Sequence, residues 1–412
     1  MRCRNCREQA ELTLVDLGSS PLANSYLTES DLQTPETCFP LRVVVCETCW
    51  LVQTEDVVDV SRIFTADYLY FSGFSSTWVE HCRRFADEAI TRFGLGPSSR
   101  VVEVACNDGT LLGFFLDRGM RCTGIEPTAT TARAARQSGL EVAEVFLTPE
   151  SADELVAEGL MADLLVGNNV LAHVPDIVGF ARGCRRLLDL RGVAVFEFQY
   201  LVELISRTAF DTIYHEHFSY LSFTAVERVF ESAGLTMFDV ERLSTHGGSL
   251  RVYAHRTDGP QLPVTEAVHQ LRVDESELAV GSASFYKGFQ ERTDRIARDL
   301  LEFLLQAARN NKQVAGYGAA AKGNTLLNFV GVRSNLLPYV VDNNPMKQGR
   351  YLPGSGILIV DEQRIADDQP EYVLVLPWNI RAEIAHRLES LDGWSGSVVT
   401  AVPELRVDRS DN

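Results

Sequence analysis

Short β-branched runs alternate along the chain with longer stretches in which apolar positions recur at helical spacing. Leu12-Thr-Leu-Val-Asp-Leu17 and Phe39-Pro-Leu-Arg-Val-Val-Val45 read as strands. Thr77 to Phe93 reads as an amphipathic helix. In Arg100-Val-Val-Glu-Val-Ala105 a short apolar run is broken only by Glu103, as expected of a parallel strand buried on both faces. Asn107-Asp108-Gly109 then makes a tight turn, Thr110 opens a helix, and Arg121-Cys-Thr-Gly-Ile-Glu126 is a second strand ending in an acid. The alternation continues with a strand from Ala162 to Asn168-Asn169, a helix over Ile177–Leu188 and a strand over Gly192–Phe198. A helix Thr224–Ala233, a strand Thr236–Arg242 and a last strand after the Gly247-Gly248 turn complete it. From about Val264 to Ala308 the pattern is helical, with a break at Gly281. Lys312 to Asn328 then starts a second strand, Gly-rich loop and helix, followed by strands at Tyr339–Asp342 and Tyr372–Leu376.

A chain of 412 residues is too long for one compact core. The pattern predicts an α/β protein in three parts: a small β module over residues 1–66, a central doubly wound domain over 67–258, and a second Rossmann-like α/β domain over 259–412. Composition is that of a soluble globular protein, 45% hydrophobic and 23% charged, with no run of 18 apolar residues to span a membrane. A formal charge of −18 removes the broad basic face that nucleic acid or an anionic membrane would need, but leaves room for a small anionic ligand on a few local cations. The start Met-Arg-Cys-Arg-Asn-Cys has no apolar signal region, and with nine cysteines this points to a reducing, cytoplasmic setting. A monomer or weak dimer is expected.

Four cysteines stand as two Cys-x2-Cys pairs, Cys3/Cys6 and Cys46/Cys49. Each pair clips one edge of a tetrahedral metal, so a structural zinc with four thiolates is expected; two dithiol redox motifs are the competing reading. A module this small needs the metal for much of its folding free energy. Cys38, Cys82, Cys106, Cys122 and Cys184 lack such spacing and read as core or loop residues.

The first strand–turn–helix unit lacks the glycine triplet that lets a backbone approach a pyrophosphate. S-adenosylmethionine has no phosphate and tolerates bulkier polar residues there. Glu126 suits its ribose, and Glu103 and Asp108 suit its charged methionine end. The chemical centre is read at Tyr214-His215-Glu216-His217, within Asp211-Thr-Ile-Tyr-His-Glu-His-Phe-Ser-Tyr220. Histidine is the side chain best matched to general-base work near neutrality, and a tyrosine and glutamate beside it can donate to an oxyanion or orient a ring. A cluster of ordinary hydrogen-bonded residues is the competing reading. In the second Gly-rich loop, Gly318, Lys322, Gly323 and Asn324 lie where a helix N-terminus can hold phosphate oxygens; a plain tight turn is the alternative.

These residues carry a family. The chain resembles the S-adenosylmethionine-dependent C-methyltransferases that act on dTDP-linked keto-deoxysugars in routes to the branched sugars of antibiotics. The resemblance runs over the whole chain: the Cys-x2-Cys pairs; Glu103 to Thr110, Asn168 to Pro175, Tyr214 to His217 and Thr245 to Arg251; then Gly316 to Asn328 and Asp342 to Arg350. It implies S-adenosylmethionine and structural zinc. It implies that His217 is the base, with His215 as its competitor, Tyr214 and Glu216 beside it, and His173 and Tyr68 lining the pocket. Cys106, Asn107, Gly109, Pro127, Asn168 and Asn169 would join Glu103, Asp108 and Glu126 around the cofactor. Tyr70, Arg251, Tyr317, Lys322, Asn324 and Arg350 would face the sugar nucleotide, although Arg251 and Arg350 read equally well as salt-bridged surface arginines. An O- or N-methyltransferase on the same kind of substrate, and a nicotinamide-dependent oxidoreductase using the second Gly-rich loop, are the rival functions.

Overall fold

The computed structural model describes residues 1–55, 57–59, 62–63, 71–391 and 393–409. The N-terminal strands β1 (Leu12–Ser20), β2 (Phe39–Val45) and β3 (Val52–Thr54) form an antiparallel meander. Both Cys-x2-Cys pairs sit in tight knuckles built alike. Arg7 N–H reaches Cys3 O, Trp50 N–H reaches Cys46 O, and the residue after each pair, Arg7 or Trp50, is left-handed at φ 65° or 62°.

The central strands β4 (Arg100–Val104), β5 (Arg121–Ile125), β6 (Glu141–Ala143), β7 (Ala162–Asn168) and β8 (Leu188–Gln199) run parallel. The short strand β9 (Ser219–Tyr220) leaves this sheet and pairs with β3, so the candidate chemical segment ends in the N-terminal sheet. β10 (Leu235–Leu243) and β11 (Ser249–Arg256) return to close the central sheet in the order β10-β11-β8-β7-β4-β5-β6, with β11 antiparallel. Helices on both faces bury the parallel strands, which explains their near-continuous apolar runs.

Helices Glu266–Glu277, Ala283–Tyr286 and Phe289–Arg309 follow, broken around Gly281 as the sequence predicts. β12 (Val314–Tyr317), β13 (Tyr339–Val341), β14 (Leu358–Val360), β15 (Tyr372–Val375), β16 (Ser397–Thr400) and β17 (Arg406–Arg409) form the third sheet, in the order β14-β13-β12-β15-β16-β17, parallel except at β17. Among the described residues, no helix is long and apolar enough to cross a membrane.

Candidate functional site

The central sheet reverses its winding between β4 and β7, which opens a crevice at their carboxyl ends. The loop after β4 is held close to β5 by Ala105 N–H on Ile125 O, 2.7 Å. It turns through left-handed Ala105, Asn107 and Gly109. Gly109 has no substitute: φ is 79°, and a Cβ would sit 2.2 Å from Leu140. Glu126 stands at the end of β5, where one carboxylate oxygen accepts from Asn107 N–H (3.0 Å) and the other from Thr128 N–H (2.9 Å). Pro127 follows half-buried. Of the two acids expected at the methionine end, Asp108 accepts from Thr110 (Oγ1, 2.6 Å) and from Gly73 N–H (2.8 Å). Asn107 Oδ1 accepts from Ser72 N–H, so residues 72–73 are tied over the loop. Glu103 differs: it is buried, and its Oε2 has no hydrogen-bond partner. Burial, then Asp108 and Glu126, push its carboxyl well above the ordinary range. An unsatisfied buried carboxyl among two further acids fits a cation, and the α-ammonium of S-adenosylmethionine is one. Cys106 is a correction to the sequence reading: its thiol is packed against Gly124 in the core beneath the loop, so it offers no side chain to a cofactor. Asn168 ends β7 with a buried, unpartnered Oδ1, and left-handed Asn169 follows it.

The second cluster hangs between the turn Phe210–Thr212 and β9. His217 Nδ1–H donates to Thr212 O (2.8 Å), which leaves Nε2 with the lone pair a base needs. Its ring lies 4.1 Å from that of Tyr214 and 4.7 Å, edge-on, from that of His173. Glu216 is buried and accepts from Asn24 Nδ2 (2.6 Å). His215, the competing candidate, turns its ring to the N-terminal sheet, donating to Pro40 O (3.1 Å) and lying edge-on to Phe39. Burial, and then His173, hold His217 well below the ordinary imidazole value of 6.5. Burial holds His173 down at about 4. As a base, His217 would therefore be in its neutral, proton-accepting form at neutral pH. The acid limb of kcat/KM is expected to lie below pH 6.5, and a pH–rate profile with a limb at or above that value would contradict the assignment.

Three residues outside the expected site, His246, Asp211 and Trp378, join this cluster. His246, in the β10–β11 turn at φ 53°, lies 3.3 Å from Asn169 Nδ2 through Nε2. Asp211 is buried, accepts from Trp378 Nε1–H (2.8 Å), and burial pushes it up to about 6. Only a buried acid just before the histidines hinted at Asp211; Trp378 is more than 150 residues away in sequence and gave no signal.

The third sheet also reverses its winding, between β12 and β15. A cavity of about 390 Å³ opens there, bounded by residues 71–75, by Asn24 and Tyr26 of the N-terminal module, and by Tyr317, Asp342 and Lys347. Tyr317 OH donates to Glu362 (2.5 Å) and receives Asn343 Nδ2 (3.2 Å). Lys347 Nζ donates to Ala319 O (2.8 Å); burial opposes its charge, but Tyr26 and Asp342 outweigh that and keep it protonated. Because residues 71–75 touch both the loop after β4 and this cavity, the two crevices adjoin.

Three expected sugar-nucleotide contacts are corrected. Arg251 is 3% exposed and locked in the central sheet, 3.2 Å from Glu197 and stacked over Phe85. Asn324 is buried and donates to Ala23 O (2.6 Å), fastening the third domain to the N-terminal module. Arg350 is half-buried, outside the cavity lining, and its charge acts on the exposed Asp31. Lys322 is also not on the cavity wall; its Nζ donates to Asn379 (2.7 Å). Tyr68 and Tyr70 lie outside the described residues. The four cysteine sulfurs of Cys3, Cys6, Cys46 and Cys49 gather within 4.8 Å of one another, the donor set and spacing of a tetrahedral zinc site.

Comparison with known proteins matches three family models: a zinc binding domain over residues 3–64, a methyltransferase domain over 78–240, and a C-methyltransferase C-terminal domain over 244–403. The C-methyltransferase NovU of Streptomyces niveus is 35% identical over 405 residues, covering 98% of this chain and 96% of that protein. A ubiquinone biosynthesis O-methyltransferase of Methylobacterium sp. (strain 4-46) is 32% identical over 83 residues, 20% of this chain and 33% of that protein. Among solved structures, magnesium protoporphyrin IX methyltransferase (ChlM) from Synechocystis PCC 6803 with bound SAM is 15% identical, covering 49% of this chain and all of that one at a TM-score of 0.36.

Proposed function

The chain belongs to the zinc-binding, S-adenosylmethionine-dependent C-methyltransferase family, and from that premise we propose that it methylates C-3 of a dTDP-linked 4-keto-deoxysugar through an enolate. A sugar carbon is not a nucleophile. A carbonyl at C-4 acidifies the C-3 hydrogen, and a base that removes it leaves a carbanion equivalent. S-adenosylmethionine supplies, when bound, the electrophilic methyl that this carbon takes. The observation that carries the reading is a neutral imidazole with its Nδ1 anchored on Thr212 and its Nε2 lone pair available, in a cluster tied to the wall of the 390 Å³ cavity by the Asn24–Glu216 hydrogen bond. His217 Nε2 takes the C-3 proton. Tyr214 and His173 wall the hexose. Glu103 and Glu126 hold the methionine and ribose ends of the cofactor. Lys347 and Tyr317 meet the nucleotide in the cavity. Simple O-methyl transfer needs less, because a hydroxyl already carries lone pairs.

The division of labour assigns residues 1–66 to zinc, 67–258 to methyl transfer and 259–412 to the sugar nucleotide, in a cytoplasmic enzyme. The test is a panel of dTDP-4-keto-deoxysugars with a ¹³C-methyl-labelled donor. NMR is expected to show the label bonded to C-3, with solvent deuterium entering C-3 when S-adenosylhomocysteine replaces the donor. Label on oxygen or nitrogen would overturn the reading. So would NADH binding with no affinity for S-adenosylmethionine.

A further inference from the structure

We propose that Lys322 is a catalytic residue of this reaction, its ammonium holding the substrate's C-4 oxygen as that oxygen gains negative charge. The proposal rests on the enolate reading above. Lys322 lies in the first turn of helix Ala321–Val330, just past the loop of Gly318 and Ala320 that lines the cavity. Its head group leaves that wall and points inward. Nζ lies 5.4 Å from the centre of the Trp378 ring and gives one of its three N–H groups to Asn379.

Three elements meet around this head group. Trp378 donates to Asp211, and the next residue, Thr212, supplies the carbonyl that orients His217. Gly247, beside His246, packs so tightly on Trp378 that a Cβ there would lie 2.8 Å from the ring. Lys322 is thus built into the same assembly that holds the base. Its charge reaches the base too: burial, His173 and His246 depress His217 more, but Lys322 adds to them, and after burial it is the leading influence on His246.

The local charge balance asks for an anion. Burial lowers the basicity of Lys322, and Asp211 is the acid that offsets this. Asp211 is itself pushed up to about 6, with its Oδ1 buried and unpartnered. Among the described residues Asp211 forms no salt bridge with Lys322, being spent on Trp378 instead, so it is a distant counter-ion. A half-buried ammonium with spare donors, in one assembly with a neutral imidazole, is stabilised best by a negative charge that arises during the reaction. The proton that leaves C-3 goes to His217 Nε2, the electron pair passes through the C-3–C-4 bond to O-4, and Lys322 donates a hydrogen bond to that oxygen. When the new carbon–carbon bond forms, the pair passes from C-3 to the donor's methyl, the sulfur–methyl bond breaks with its pair left on sulfur, S-adenosylhomocysteine leaves and the C-4 carbonyl is restored. Nothing is oxidised or reduced. The diphosphate has another cation, Lys347, on the cavity wall.

The test compares the intact zinc-loaded enzyme with Lys322→Met, which keeps the stem's length and apolar contacts. Expected are a fall of roughly 10²–10³-fold in kcat for methyl transfer, a parallel fall in C-3 deuterium exchange, and unchanged dTDP affinity and sugar-nucleotide KM. The acid limb of kcat/KM should also move to higher pH, because a positive charge facing His217 is gone while His173, Tyr214, Tyr220 and His246 still face it. A variant with the wild-type kcat, or one that loses dTDP affinity alone, overturns the proposal; the latter marks a phosphate contact. If Lys322→Met does not fold, Lys322→Gln is read against the same outcomes. Wild-type enzyme that exchanges no C-3 hydrogen and methylates no 4-keto sugar nucleotide sinks the enolate reading and this one with it. A wild-type enzyme that does both beside an unimpaired variant sinks this one alone.

Discussion

His217→Asn is expected to remove methyl transfer and, with it, deuterium exchange at C-3 of the sugar. The loss should be roughly 10²–10⁴-fold, the range over which a positioned general base acts. Asparagine keeps an N–H that can reach the Thr212 carbonyl, so the segment from Phe210 to β9 should keep its course while the basic Nε2 disappears. The control is His215→Asn. His215 is spent on the Pro40 carbonyl and on Phe39, so its loss should loosen the N-terminal sheet without removing chemistry. Rates measured under saturating substrate decide between them. Full turnover in His217→Asn, or a total loss in a folded His215→Asn, would reverse the assignment.

Stripping the zinc is expected to silence the enzyme as well as unfold the first module. Four thiols within 4.8 Å of one another cannot all ionise without a cation, and the three short N-terminal strands offer little core in exchange. In small zinc modules the metal contributes about 10–16 kcal/mol of apparent binding free energy, which is folding free energy. The consequence reaches the active centre by a short path. Arg4, between Cys3 and Cys6, donates through Nη1 to Phe218 O (3.0 Å) and to Thr54 O (2.7 Å). Thr54 Oγ1 donates to His217 O (3.1 Å), and β3 pairs with β9 directly after the base. Dialysis against a strong chelator, or Cys46→Ser, should therefore lower turnover in step with zinc content. Metal analysis, circular dichroism and activity on the same samples test this. Zinc-free protein with full activity would show that the module is a bystander.

The alternation of strands and helices, the three-part α/β architecture, the paired cysteines, the tight turn between Glu103 and Gly109 and the place of Glu126 at the end of its strand were all legible in the sequence. They depend on local physics: side-chain period, turn residues, and the short spacing of ligands that share a knuckle. Only the tertiary structure separates the two histidines, because the Pro40 carbonyl that claims His215 lies 175 residues away. It moved Arg251 from a substrate contact to a buried pair with Glu197, since a strand's neighbours are not written in its own residues. It brought Asn24 to Glu216 across 192 residues and Trp378 to Asp211 across 167, and so turned Lys322 from a phosphate cradle toward the base. Periodicity reports which face of an element is buried. What that face meets is set only when distant segments close on one another, and the chemistry proposed for this protein sits where three of them do.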